Sequence, residues 1–329
     1  RERREIMQAI GRVLDSGQYI GGQEVAEFER EFAAFAGASR CVACGNGTDA
    51  LKIAMRVYGK PGGRVLTVAN SAPATVTAIV EAGMKPLFCD VVPTGRDAGL
   101  MDLDDAELAC RTYRPSVLLP VHLYGRMLDM ARVAEIGRLN GAVVIEDACQ
   151  AHGSTDANGI RPGERSAAAC WSGYPTKNLG ALGDAGWITV HGLGGRDGHE
   201  SSRRMRWLGN YGLRDKCSGG AGINEVLAEP GWNSRMDPIQ AAVLRTRIPR
   251  IHEFNTHRAA IAEVYGSRLG GIVPVIYGGN YHIAAIRVKR REALMYHLAE
   301  RGITARIHFK RPAHRQPSFE RPHVNLPAT

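Results

Sequence analysis

The segment CWSGYPTKNLGALGDAG, residues 170–186, sets one lysine, Lys177, among small residues and glycines, with Ser172 before it and Asp184 after it. A lysine held partly out of water can shed its proton and attack a carbonyl, whereas a solvated one is only a surface charge. Alone, Lys177 reads as surface decoration, since lysine is seldom buried. Other stretches add to it. GNGTDALKIAM places Gly45, Asn46, Gly47 and Thr48 directly before an amphipathic helix. Free backbone N–H groups at a helix N-terminus seat an anion such as phosphate, although the same residues also spell a turn and a cap. VVIEDACQ ends a buried strand at Asp147, with Gln150 three residues on. A buried carboxylate needs a cation or hydrogen bonds, and a structural ion pair with one of the 42 basic residues would serve as well. WNSRMD contributes Asn233 and Arg235 just before a helix, where capping is the ordinary explanation.

A phosphate seat, a strand-end aspartate and a lysine that follows a serine are what pyridoxal 5′-phosphate asks of a protein. It needs an amine for its Schiff base, an acid beside its pyridine nitrogen and donors around its phosphate.

The elements that must carry these residues show in the hydrophobic pattern. Between about residues 24 and 190, helix-period segments such as VAEFEREFAAFAG and MARVAEIGRLN alternate with short apolar runs such as RVLTVA, KPLFCDV and AVVIEDA. That alternation predicts an α/β fold, a mostly parallel sheet with helices on its faces, and such sheets gather ligands at the carboxyl ends of their strands. From NSRMDPIQAAVL onward the pattern turns helical, with Asp237, Pro238 and Gln240 in capping-box positions. The expected organisation is a large cofactor-binding domain over residues 1–240 and a small α+β domain over 241–329, whose end YHIAAIRVKRREALMYHLAERGITARIHF reads strand, helix, strand.

Composition narrows the classes further. The 329 residues carry a formal net charge of +9, 44% hydrophobic and 23% charged residues, as a globular protein does. No apolar run is long enough to cross a bilayer, and the N-terminal residues RERREIMQAIGRVLDSG read as a charged helix rather than a leader, so the expected location is cytoplasmic. The seven cysteines are odd in number and lie in apolar runs, which suits buried thiols. The C-x-x-C pair Cys41 and Cys44 has no second pair or histidine cluster, so no metal site is expected. The positive charge could serve nucleic acid, but no recognition helix or dense basic stripe is present, and SSRRMRWLGNYGLRDK reads as a solvated face or a sugar-diphosphate contact.

GNGTDAL, PVHLYG, VIEDACQAHG, YPTKNLGALGDAG, WNSRMDPIQAAVL and GITARIHF, in this order from about Gly21 to Pro317, resemble the signature segments of the DegT/DnrJ/StrS sugar aminotransferases. The resemblance implies the fold-type I architecture of pyridoxal phosphate enzymes and a transfer of nitrogen from glutamate to a ketosugar, usually nucleotide-linked. A keto-cyclitol of an aminoglycoside-type pathway is the alternative, and another fold-type I reaction, such as a lyase, shares the same constellation. It implies that Lys177 forms the Schiff base, Asp147 pairs with the pyridine nitrogen and Gln150 contacts the ring hydroxyl. It likewise implies that Gly47, Thr48 and Ser172 hold the phosphate and that Asn233 reaches it from a neighbouring subunit of a homodimer. During turnover the cofactor passes through pyridoxamine 5′-phosphate (PMP). Members that dehydrate their substrate carry histidine in place of the lysine. Two departures stand out: Ala72 occupies the place where many members stack an aromatic residue on the ring, and RLGGIVPVIYGGNYHIAA is compact for the family. The end at HVNLPAT falls short of the usual length, which suggests incomplete coverage.

Overall fold

The structure of the protein, a computed structural model, describes residues 2–192, 198–213, 229–269, 276, 278–319 and 325–329. Seven strands form one sheet: β1 (Arg40–Cys44), β2 (Arg64–Val68), β3 (Lys85–Cys89), β4 (Val117–Leu118), β5 (Val143–Asp147), β6 (Ala168–Ser172) and β7 (Gly186–Val190). Their order is β1-β7-β6-β5-β4-β2-β3. β3, β2, β4, β5 and β6 run parallel, while β7 is antiparallel to both β6 and β1. Parallel strands buried on both faces require continuous apolar runs, and every residue of β6 and β7 is buried.

Helices cover the sheet as the periodicity predicts. α1 (Glu2–Ser16), α2 (Gln23–Ala36), α3 (Gly47–Tyr58), α4 (Pro73–Glu81), α5 (Leu103–Tyr113) and α6 (Met130–Asn140) precede or alternate with the strands. α7 (His199–Gly209), α8 (Pro238–Arg247), α9 (Ile251–Leu269) and α10 (Arg291–Ala299) follow. α3 buries Leu51, Ile53, Ala54 and Met55 in a cluster with Val42 of β1, Ile145 of β5, Cys170 of β6 and Ile188 of β7. A second cluster packs Phe28 and Phe32 of α2 against Trp171 and Trp187. The Phe32 ring stands edge-on to both indoles, at 5.2 and 4.8 Å, the geometry that aromatic quadrupoles favour. No described helix is long and apolar enough to cross a membrane.

Three local expectations meet a different outcome. Asp237 stands at the N-cap of α8, but its side chain makes no capping bond, and Gln240 does not complete the box. Gln240 Oε1 instead accepts from the Leu182 N–H at 2.9 Å, because the loop after Lys177 presents an unpaired donor to it. The flanks of α10 contain no strand ladder among the described residues; one backbone bond, Ile276 N–H to Ala285 C=O, marks the first of them. A strand forms only where a neighbouring backbone pairs with it. Most of residues 268–279 of the compact stretch, and the last three residues of SSRRMRWLGNYGLRDK, lie outside the described residues. Of that basic segment, Arg206 on α7 makes a two-armed ion pair with Glu29, both contacts at 2.9 Å.

Candidate active site

The carboxyl ends of β2, β5 and β6 meet in one region. β5 ends at Asp147, which is 6% exposed. Its Oδ2 accepts from Thr75 Oγ1 at 2.8 Å and its Oδ1 from the Cys149 N–H at 3.2 Å. Since Thr75 Oγ1 donates to the carboxylate, it accepts from Ser71 Oγ, 2.6 Å away. No lysine, arginine or histidine among the described residues lies within ion-pair distance of Asp147. The structural ion pair that the sequence allowed is therefore absent there.

α3 begins beside this carboxylate. Asn46 caps the helix by accepting from the Asp49 N–H at 2.9 Å, so the first two N–H groups, those of Gly47 and Thr48, remain without an acceptor among the described residues. Gly47 is obligatory in this packing. A Cβ there would lie 2.8 Å from Ser172 Cβ and 3.0 Å from Cys149 Sγ, closer than carbon and sulfur tolerate. Across the same junction, any side chain on Gly186 of β7 would run into the Asn46 carbonyl. Small residues thus bring the α3 N-terminus against the end of β6, where Ser172 is buried.

Lys177 follows in a turn closed by its own N–H to the Tyr174 carbonyl, 2.8 Å. It lines a cavity of about 320 Å³ with Ala72, Gln150, Tyr174, Thr176, His282, Ile283, His308 and Phe309. A larger opening of about 510 Å³, lined by Arg12, Glu24, Glu27 and Arg245 among others, shares no residue with this cavity. Lys177 Nζ has no hydrogen bond or ion pair among the described residues. Gln150 Oε1 accepts from the Tyr124 N–H at 2.7 Å, which leaves the amide nitrogen of Gln150 as the end free to donate. Ala72 forms part of the cavity wall.

Asn233 is the exception to this gathering. It is exposed and bridges to Asn210, while its neighbour Ser234 bonds both the Gly45 N–H (3.0 Å) and Asp49 Oδ2 (2.7 Å) at the head of α3. Sequence reading missed Ser71, Thr75, His152, Asn178, Asn280 and His282. The i, i+4 pair Ser71 and Thr75, which flanks Ala72, is the one signal that could have pointed to the first two.

Three histidines surround the lysine, and all are held neutral. Burial pushes His152 down to about 3, with the Lys177 charge adding to it. Burial and then Lys177 push His282 down to about 2, and the same two causes lower His308. Cys149 is raised by burial and by Asp147, so it stays a thiol. Neither ring nitrogen of His152 meets a hydrogen-bond partner of good geometry among the described residues.

The family model for the DegT/DnrJ/EryC1/StrS aminotransferase family matches residues 1–328. A dTDP-3-amino-3,4,6-trideoxy-α-D-glucose transaminase of Micromonospora megalomicea subsp. nigra is 36% identical, over 97% of this chain and 84% of its own length. Among solved structures, DesV of S. venezuelae superposes with a TM-score of 0.89 at 36% identity, covering 99% of this chain and 86% of that one. The Bacillus subtilis protein NtdA, solved with bound cofactor PMP, superposes with a TM-score of 0.87 at 26% identity, covering 99% and 74%.

The buried imidazole of His152 has a thermodynamic consequence. An unfolded histidine titrates near 6.5 and the folded one near 3, so between these values the unfolded chain binds more protons and acid destabilises the fold. His152→Phe should flatten the fall in unfolding free energy between about pH 6 and pH 4 by roughly 1.4 kcal/mol per pH unit. Urea titrations of both proteins measure this, and equal slopes would mean that native His152 takes up a proton.

Proposed function

This chain belongs to the DegT/DnrJ/EryC1/StrS aminotransferase family, and from that premise we propose that it moves an amino group from glutamate to a nucleotide-linked ketosugar, yielding an aminosugar. The observation that carries the reading is Lys177, its Nζ unpaired among the described residues, in one cavity with Gln150 and Ala72 and near a buried Asp147 that no described cation pairs. The residues present fit pyridoxal 5′-phosphate. Gly47 and Thr48 offer two free N–H groups beside Ser172, and the Gly47 cradle is one that a Cβ would fill. When bound, the cofactor supplies an electron sink for the carbon that bears the nitrogen.

The chain's own groups do the rest. Lys177 would hold the cofactor, and its amine would carry the proton that leaves the amino-acid donor and the one delivered to the sugar carbon. Asp147 keeps a proton on the pyridine nitrogen, and each pKa unit by which it does so is worth about 1.4 kcal/mol. Thr75 and the Cys149 N–H aim the carboxylate, and Ser71 aims Thr75. Gln150, fixed through Tyr124, donates its amide N–H to the ring hydroxyl. The N–H groups of Gly47 and Thr48 and the Ser172 hydroxyl take the phosphate at the positive end of α3. Asn233, exposed in this chain, completes the phosphate site of a second copy, which makes the working unit a homodimer.

Protein loaded with pyridoxal 5′-phosphate should absorb in the visible and bleach when L-glutamate is added. Lys177→Ala should still bind the cofactor yet carry no covalent link after borohydride reduction and mass analysis. Loaded wild-type protein that ignores glutamate would remove glutamate as donor, and a reducible link in the variant would remove Lys177 from its role.

The shared site has a separate test. Mixed dimers of Lys177→Ala and Asn233→Ala protomers, each inactive alone, should regain activity, because one of the two sites then has both groups intact. Verified mixed dimers without activity would place Asn233 in its own chain's site.

A further inference from the structure

A chain of side-chain amides fixes which nitrogen of His282 carries its proton. Asn178 donates from Nδ2 to the Asn280 carbonyl at 2.9 Å and to Asn255 Oδ1 at 2.8 Å. Asn255 and Asn280 are themselves oriented by backbone carbonyls. Asn255 Nδ2 donates to His152 C=O (2.9 Å), and Asn280 Nδ2 donates to Gln150 C=O (2.8 Å) and His152 C=O (3.0 Å). A carbonyl can only accept, so no amide in this chain can be turned around. Asn178 Oδ1 is therefore the atom that faces His282 Nδ1, 3.1 Å away, and the Nδ1 carries the hydrogen. The other ring nitrogen, Nε2, is bare. It has no partner among the described residues, and the ring it belongs to lines the cavity with Lys177. Burial, together with the charges of Lys177 and Arg258 and the neighbouring rings of His152 and His308, keeps the imidazole unprotonated.

Among the other described lining residues none holds a bare acceptor in a fixed orientation. Lys177 and the Gln150 amide face the cavity as donors, Ala72, Ile283 and Phe309 are apolar, the Tyr174 and Thr176 hydroxyls sit on exposed residues whose O–H can rotate, and His308, the second neutral imidazole of the lining, has no side-chain amide to fix its tautomer. No carboxylate lines it among the described residues. A ketone oxygen is satisfied by donors, but a sugar hydroxyl that leaves water must also find an acceptor, at the cost of a lost hydrogen bond if it does not. The carboxylates of an amino-acid donor bring acceptors and have no use for Nε2.

We propose that His282 Nε2 is a specificity-determining acceptor that takes a hydrogen bond from the hydroxyl on the sugar carbon next to the one aminated, so that the cavity selects hydroxylated sugars in one half-reaction and ignores the difference in the other. The neighbouring carbon is singled out because His282 shares its cavity with Lys177, which acts at the aminated carbon. This rests on the nucleotide-sugar reading above.

The test runs the sugar half-reaction backwards on the loaded enzyme, with dTDP-3-amino-3,4,6-trideoxy-α-D-glucose, whose only ring hydroxyl is at C2, and its 2-deoxy analogue. Loss of the visible band reports transfer. In wild-type protein the 2-deoxy sugar should react about tenfold more slowly or worse in kcat/KM. His282→Phe should impose a similar loss on the hydroxylated sugar and no further loss on the 2-deoxy one, a coupling that independent effects do not give. Its glutamate half-reaction should fall at least about threefold less than its sugar half-reaction. Additive losses, or equal losses in both half-reactions, would overturn the assignment and make His282 a packing residue. Nitrogen-15 spectra of the wild-type imidazoles need no turnover: a proton on Nδ1 of His282 is expected, and one on Nε2 overturns the proposal. A wild-type enzyme that reacts with glutamate and with neither sugar would instead bring down the substrate reading on which the proposal rests.

Discussion

The architecture turns on one buried carboxylate. Asp147 ends β5 inside the protein, 6% exposed, with a hydroxyl and a backbone N–H as its hydrogen-bond donors and no cation among the described residues within ion-pair reach. Removing a carboxylate from water costs several kcal/mol unless charge and hydrogen bonds offset it. The strand order meets part of that cost. β5 sits between β4 and β6, so α4, entering after β2, can deliver Thr75, and Ala72 at its N-cap joins the cavity wall. The remaining part, on the reading proposed, is met by the protonated ring nitrogen of the cofactor.

The same logic of scarce partners governs the lysine. Lys177 has no carboxylate among the described residues to hold it, and three histidines around it are neutral. That leaves its amine available for covalent work and for moving protons, instead of locked in an ion pair. Neutral imidazoles also leave nitrogens free to accept, which charged ones could not. On the reading proposed, cavity polarity then divides into donors from Lys177 and Gln150 and an acceptor of fixed tautomer from His282.

Much of this was legible in the sequence because it rests on local chemistry. Glycine at a strand-to-helix turn, an acid at the end of an apolar run and a lysine among small residues each carry a local signal in adjacent letters, so the positions of Gly47, Asp147 and Lys177 in the fold could be read without coordinates, while each alone also allowed a plainer reading. The mostly parallel sheet likewise follows from apolar runs alternating with helical periods. Thr75, Asn178, Asn280 and His282 could not be read in this way. Their importance comes from contacts across 72, 102 and 104 residues of chain, and a lone polar residue in a helix or loop has no periodicity to mark it. Gln240 shows the converse, a local signal overruled by a distant backbone donor at Leu182.

The central claim is that the Asp147 charge drives the chemistry through the ring nitrogen. Asp147→Asn keeps the side chain's shape and its bond from Thr75 while removing the charge. Stopped-flow bleaching by L-glutamate, at matched cofactor occupancy in both proteins, measures its effect directly. The account predicts a half-reaction slowed by about a hundredfold or more, close to 3 kcal/mol in the barrier, with the cofactor still bound. A variant that bleaches at nearly the wild-type rate would contradict it.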